Sequence, residues 1–508
     1  MHSKVFSATP VGVDSQIVEV EADLSMGLIK FNIVGLPDKA ITESSKRILA
    51  ALKNSGLRIP ERLITINLAP ANLKKQNILF DVPISVAILQ SAKLLNLTND
   101  FIKESLFLGE LALDGQIRPV RGVLSVAHGM LRDNKKRLII PKQNCAEASL
   151  IKGIEIIGVE SLVELVEYLR GQKIIIPTES TFDNFSEFIK KHPLDFDEVK
   201  GQVVTKRALQ IAAAGMHNIL FIGPPGAGKT MLAKRFATIL PEMSFDEIIE
   251  TTKIYSIAGL LDSKSLVLHR PFRAPHHTIS QAGLVGGGTY PKPGEISLAN
   301  KGVLFLDELA EFKRATLEVL RQPMESKKVL ISRANSSFEY PAEFLLVAAL
   351  NPCPCGYYGD KSGKCVCTKN QIKSYFAKLS GPLLDRIDIH VNVSSVDYDD
   401  IHNKSLVSKN SAQMKIEIDK AVKIQNKRNI INAFMSSSQV EKYCQLTADA
   451  ENTLKLAFEK LNLSMRGYHK ILKIARTIAD LESLDIIDKK HIREAIMYRT
   501  LDKNSGVS

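Results

Sequence analysis

The run Gly223-Pro224-Pro225-Gly226-Ala227-Gly228-Lys229-Thr230 has the residue types of a phosphate cradle. Its glycines let backbone N–H groups converge on phosphate oxygens, and a helix starting there adds the partial positive charge of its N-terminus. Lys229 can reach β- and γ-phosphates, and Thr230 offers Mg2+ a hydroxyl ligand. About 75 residues later, Val303-Leu-Phe-Leu-Asp307-Glu308 reads as an apolar strand ending in two carboxylates. Asp307 would hold Mg2+ through water, and Glu308 would orient and deprotonate an attacking water. An Asp-Glu strand end is weak evidence alone, because acidic residues also cap helices. Downstream of a phosphate loop it is strong.

A second group could bind metal. Of the six cysteines, four fall in two Cys-x-Cys pairs, Cys353/Cys355 and Cys365/Cys367, nine residues apart. Four thiolates suit tetrahedral zinc, although the commoner structural spacing is Cys-x2-Cys. Cytosolic thiols without metal are the other reading.

These groups need a scaffold. Asn218–Ile222 reads as a buried strand and Met231–Leu240 as the helix after the loop, the context a phosphate loop requires. At 508 residues with 45% hydrophobic content, the chain has material for about three folding units. Residues 1–170 alternate strand-like runs (Leu28–Val34, Leu63–Leu68, Leu106–Leu108) with helical ones (Ile41–Lys53, Pro83–Leu94), a mixed α/β domain. Residues 171–193 read as a linker. Residues 194–394, which include the cysteine cluster 353–367, read as a nucleotide-binding α/β domain with a mainly parallel sheet. Residues 395–508 read as a helical bundle, with Thr447, Ser464 and Asp488 placed as N-caps. No apolar run approaches the roughly 20 residues that cross a bilayer, and the N-terminus has no signal-peptide pattern, so a cytoplasmic location without membrane is expected. The formal net charge of +12 fits a polyanionic partner such as nucleic acid, and equally a basic solvated surface.

The order of the motifs carries a resemblance. The strand Phe344–Leu350 ends in Asn351, Leu383-Leu-Asp385-Arg386-Ile-Asp388 follows, and Ser464-Met-Arg466-Gly opens a late helix. With Phe272-Arg-Ala-Pro-His276-His277-Thr, Asn351-Pro-Cys-Pro-Cys355-Gly and Arg466-Gly-Tyr-His-Lys, nearly the whole chain resembles the YifB/ComM family of Mg-chelatase-like AAA+ ATPases. The resemblance implies ATP and Mg2+ as cofactors and a C-terminal helical lid. It casts Asn351 as sensor 1, Arg386 as an arginine finger reaching a neighbouring subunit's γ-phosphate, Arg466 as sensor 2 on the nucleotide, and Val199 in the segment beside adenine. It also implies a hexameric ring and a branch-migration helicase acting on branched or single-stranded DNA in recombination and natural transformation. Two insertions are implied, an extended segment at about 255–298 and a hairpin at about 328–343 with Ala334–Ser337 as its turn. Arg270, Arg273, His276, His277, Lys292 and Arg333, with Lys327 and Lys328, are the candidate DNA contacts on them. A metal-chelatase motor acting on a protein partner is the alternative.

The N-terminal domain resembles the Lon-protease catalytic fold through Phe80-Asp-Val-Pro-Ile84 and Leu108-Gly-Glu-Leu-Ala-Leu-Asp-Gly-Gln-Ile-Arg-Pro-Val-Arg-Gly-Val-Leu124. The positions matching the protease's serine and lysine carry Ile84 and Leu124, which can neither attack nor accept a proton. Ser85, one place late, should point elsewhere. A non-proteolytic domain is expected.

Overall fold

The computed structural model describes residues 2–28, 30–35, 39–70, 79–179, 194–261, 266–288, 292–333, 336–360, 363–395 and 409–499. The chain divides into two compact units, residues 1–189 with 248–267, and residues 190–247 with 268–508. Among the described residues, no helix is long and apolar enough to cross a membrane.

In the first unit, β1 (His2–Val11) and β2 (Asp14–Ser25) form an antiparallel hairpin. β3 (Lys30–Val34) and, after α1 (Lys39–Asn54), β4 (Leu63–Ala69) complete a sheet of order β1-β2-β4-β3. Buried positions alternate along β2, as expected of a strand with one face on a core. That core receives α2 (Asp81–Ser91), which is buried on nearly every side. β5 (Ser105–Phe107), α3 (Val123–Arg132), β6 (Arg137–Pro141) and β7 (Glu155–Val159) add a three-stranded parallel sheet with its covering helix. Ile84 and Leu124 are both fully buried. Ser85 is buried too, its hydroxyl donating to the Asp81 carbonyl at 2.8 Å, so it points into its own helix.

The second unit is built on a five-stranded parallel sheet. After α4 (Val203–Gly215), β8 (Ile219–Ile222) pairs with two later strands. Then come α5 (Lys229–Ile239), α6 (Phe245–Ala258), most of which, from Ile248 on, belongs to the first unit, β9 (Phe272–Arg273), β10 (Val303–Leu306), the hairpin β11 (Lys328–Arg333) and β12 (Ser336–Pro341), β13 (Leu345–Leu350) and β14 (Ile389–Asn392). The sheet order is β9-β10-β13-β8-β14. Its three central strands are buried along their whole length, which is why they read as unbroken apolar runs rather than alternating ones. The C-terminal residues form α7 (Ser411–Lys427), α8 (Ala448–Leu461), α9 (Met465–Leu481) and α10 (Lys489–Met497) with a shorter helix between α7 and α8. Thr447 and Ser464 accept N–H bonds from Ala450 and Gly467 as N-caps. At Asp488 the backbone N–H donates to His491 Nδ1 at 2.8 Å.

Two expectations change. The segment 255–298 is not a single extended insertion. Residues 248–267 belong to the first unit, while Phe272–Arg273 is a strand of the parallel sheet, Gln281–Val285 and Glu295–Leu298 are short helices, and Gly286–Gly287 pairs with Lys292–Pro293 in a two-stranded ribbon. In the hairpin, Arg333 pairs with Ser336, so Ser336 and Ser337 lie on the returning strand, and Ala334 and Asn335 fall outside the described residues. Residues 180–193 of the expected linker, the start of the expected lid at 396–408, and the side chain of Arg333 also fall outside them.

Candidate nucleotide site

Strand β8 delivers the loop 223–230 to the C-terminal edge of the sheet, where open α/β folds bind ligands. Gly223 cannot be replaced there, because a Cβ would meet the Val393 carbonyl oxygen at 2.1 Å. Lys229 begins α5, and its Nζ donates to the carbonyls of Gly223 (2.7 Å) and Pro224 (2.9 Å) and to Asn351 Oδ1 (3.1 Å). The residue read as sensor 1 thus meets the phosphate-loop lysine. Burial lowers the Lys229 ammonium from its usual range, and Asp307 and Glu308 pull against that shift.

Thr230 Oγ1 donates to Asp307 Oδ2 at 2.7 Å. A hydroxyl and a carboxylate are hard oxygen donors, the set that suits Mg2+. Thr230 stands in the first turn of α5 and Asp307 directly after β10, with β13 between β10 and the loop strand β8, so the donor pair is assembled by the fold itself. Glu308 follows in left-handed conformation (φ 51°), its backbone N–H donating to Asp307 Oδ1 at 3.0 Å. Val199 is buried, and its carbonyl accepts from Lys206 Nζ at 2.5 Å. That segment is tied to α7, since the Ser411 N–H donates to Asp195 Oδ1 (2.9 Å) and Ser411 Oγ accepts from the Phe196 N–H (2.9 Å).

Arg386 and Arg466 stand together. They line a cavity of about 390 Å³ with Glu325, Asp388, His469 and Lys470, and among the described residues none of 223–230 shares it. Arg386 pairs with Glu325 and donates to the Pro382 carbonyl at 2.6 Å. Its backbone is tied to the loop strand through Asn218, which the sequence places only as the start of that strand. Asn218 Nδ2 donates to the Arg386 carbonyl (3.2 Å), its Oδ1 accepts from Leu346 N–H (2.8 Å), and its N–H donates to Asp388 Oδ2 (3.3 Å). Lys470 of α9 adds a bond to the Ile387 carbonyl at 3.0 Å.

The candidate DNA contacts separate. Arg270 is a brace and not an available cation. Its side chain is largely covered, and the guanidinium donates to the carbonyls of Pro241 (2.5 Å), Lys301 (2.7 Å) and Glu242 (3.3 Å) and to Glu247 (3.2 Å). Arg273 makes a two-pronged pair with Glu295, both bonds at 2.7 Å. His277 turns toward Glu308, with Nδ1 3.7 Å from its Oε2, and His276 packs on it at 4.0 Å between ring centroids. Lys327 pairs with Glu343 and Lys328 with Glu339. Lys292 is exposed.

The four cysteines of the cluster are reduced, and their sulfurs lie within 4.8 Å of one another. Chiefly the Tyr357 backbone N–H holds the Cys355 thiol down, to about 6.

Comparison with known proteins accounts for the assembly. Residues 195–401 match the family described as magnesium chelatase, subunit ChlI, residues 20–144 that described as subunit ChlI of Mg-chelatase, and residues 408–499 the ChlI C-terminal family. The chain is 44% identical over 503 residues to competence protein ComM of Haemophilus influenzae, covering 98% of this chain and 97% of that protein. The chain belongs to the YifB/ComM family. Its YifB relative from Escherichia coli is 39% identical over 502 residues, covering 99% of this chain and 97% of that protein. Lon protease 2 of Bacillus subtilis is 27% identical over 228 residues, 37% of this chain and 41% of that protein, so the Lon similarity is partial. As a YifB/ComM protein, this chain is a member of the magnesium-chelatase-like AAA+ group, whose members bind ATP.

Proposed function

We propose that this chain is an ATP-driven DNA motor, working as a hexameric ring in the cytoplasm and driving branch migration of recombination intermediates. The observation that carries the ATPase reading is the nucleotide site itself, with Thr230 against Asp307 at 2.7 Å and Lys229 against Asn351 at 3.1 Å. Phosphate oxygens would take over the Lys229 bonds now made to loop carbonyls. Mg2+ held by Thr230 and, through water, Asp307 would neutralise charge on the β- and γ-phosphates. Glu308 orients the attacking water and takes its proton, and Asn351 steadies the γ-phosphate. Arg386 and Arg466, sharing one cavity, serve the site of the neighbouring subunit, which is why a ring is needed. The four cysteines hold structural zinc.

The DNA part rests on the name of the relative, a competence protein, and on the net charge of +12. Lys292, His276 and Arg333 remain its candidate contacts, mainly to phosphates. The first unit, with Ile84 and Leu124 buried where a protease would carry its serine and lysine, serves as a non-proteolytic scaffold. The test is migration of a labelled four-way junction with ATP, wild type against Lys229→Ala. Junction resolution by wild type alone supports the motor; no resolution by a wild type that hydrolyses ATP refutes branch migration.

A second reading is favoured by the three ChlI matches, namely a motor that remodels a protein partner or drives metal insertion. Stimulation of ATP hydrolysis by DNA separates the two.

A further inference from the structure

The cysteine cluster does not stand apart from the phosphate loop. Cys353 follows Asn351 by two residues and opens a turn closed by the Gly356 N–H donating to the Cys353 carbonyl at 3.0 Å. Gly356 takes φ 88° and presses its backbone on the loop, so that a Cβ added there would lie 2.7 Å from Pro225 Cδ. The two ends of one short segment thus touch the phosphate site. Asn351 accepts from Lys229, and Gly356 backs Pro225.

Two of three sulfur separations have the spacing of a filled site, and the third is shorter. Cys353 Sγ lies 3.2 Å from Cys355 Sγ and 3.8 Å from Cys365 Sγ, and Cys355 and Cys365 are 3.7 Å apart. A tetrahedral ion with thiolate bonds of about 2.3 Å separates its sulfurs by about 3.8 Å. A disulfide of about 2.05 Å matches none of these separations. The Tyr358 N–H donates to Cys353 Sγ at 3.3 Å, an outer bond of the kind that orients a ligand toward its metal.

We infer that the metal-bound cysteine knuckle is the buttress of the phosphate loop, so that metal occupancy at Cys353, Cys355, Cys365 and Cys367 sets nucleotide affinity. The inference rests on reading 223–230 as the nucleotide site and the cysteines as a zinc site. The bound ion pins the turn 353–356 at two of its residues. The pinned turn holds Gly356 against Pro225 and Asn351 opposite Lys229. Without the ion that segment loses its anchors, and the loop loses its backing, because ordering it must then come out of the binding free energy of the nucleotide.

The experiment uses the full chain. Metal content is measured on the protein as purified. The ion is removed with chelator under reducing conditions, the chelator is exchanged away, and Zn2+ or Co2+ is returned. Co2+ reports a tetrathiolate site by its thiolate charge-transfer absorption. Affinity for a fluorescent ADP analogue with Mg2+ is titrated at each stage. Affinity is expected to fall about tenfold or more on stripping and to return on reloading. Gly356→Ala is expected to keep the metal yet weaken the nucleotide by roughly ten- to a hundredfold, the scale of an overpacked contact. Gly359→Ala is the control. It has a similar φ of 74° in the same loop, but nothing lies within 4 Å of its Cβ position, and it should keep both metal and affinity. Unchanged affinity in the stripped chain, or equal losses in the two glycine variants, overturns the buttress and leaves a plain metal site. A chain that binds nucleotide but takes up neither ion overturns the zinc reading and the inference with it. A metal-loaded wild type that binds no nucleotide overturns the reading of the phosphate loop.

Discussion

The Nδ1 atom of His277 lies 3.7 Å from Oε2 of Glu308, a charge-range contact and not a hydrogen bond. The sequence reading set His277 among DNA contacts, but its ring, backed by His276 and edge-on to Phe312, faces the carboxylate expected to activate water. His277→Ala is expected to lower kcat for ATP about tenfold with nucleotide affinity within threefold, since it positions Glu308 without touching the ligand. Steady-state kinetics beside a binding titration checks this, and a loss confined to affinity would remove His277 from the site.

Lys229→Ala removes the one ammonium in the loop and should abolish nucleotide binding. Glu308→Gln should bind ATP with affinity near wild type while hydrolysing it at least about a hundredfold more slowly, the lower range for loss of a positioned general base. Filter binding alongside phosphate release distinguishes the two variants.

Arg386→Ala should assemble as wild type does yet lose roughly 10³-fold or more in turnover, the scale of an arginine finger. Arg466 shares its cavity, so Arg466→Ala should behave as a finger-type variant. Mixing either variant with Lys229→Ala should restore partial hydrolysis through mixed sites. A finger variant that is fully active as a monomer would refute action in trans.

Asp81 is buried beneath Arg47, and its carboxyl is pushed up to about 6 by burial, against the pull of Arg47 and the Leu111 N–H. A carboxyl with a folded pKa raised above its unfolded value of about 3.9 favours the folded state most when protonated. Stability of the first unit should therefore gain about 2–3 kcal/mol from this group as pH falls from about 7 to 4. Asp81→Asn should flatten that slope in urea unfolding curves taken across the range.

Asp388 behaves in the opposite sense. Burial raises it, but Lys470 at 3.1 Å and then His217 outweigh burial and hold the carboxyl well below the usual range. Its contribution is present above a pH of about 4 and is lost as pH falls further. Lys470→Met removes the ammonium from that buried carboxylate, leaving it His217 and the Asn218 N–H, and should cost about 3 kcal/mol at pH 7. Chemical denaturation followed in the C-terminal helices checks it.

The phosphate loop, the two carboxylates and the strand ending in Asn351 were legible because each depends on local sequence. A fully buried parallel strand must be apolar throughout, and the loop must carry its glycines in order. The caps at Thr447 and Ser464 were legible for the same reason. The fates of the cationic residues were not, because they are decided by partners distant in sequence. Arg270 is consumed by carbonyls at 241, 242 and 301, and Arg273 by Glu295. Asn218 carried no signal at all, since its bonds run to 346, 386 and 388.

Those bonds have a consequence for how a ring would keep time. Asn218 stands just before the strand that feeds the phosphate loop and donates to the carbonyl of Arg386, so the loop strand and the Arg386 backbone are tied together. In the proposed hexamer, the loop belongs to a subunit's own ATP and the finger to its neighbour's. News of occupancy would then pass by a rigid link in one rotational sense only. Such a ring would fire in sequence around its circumference, with Asn218→Ala uncoupling the beat while leaving each single site able to bind.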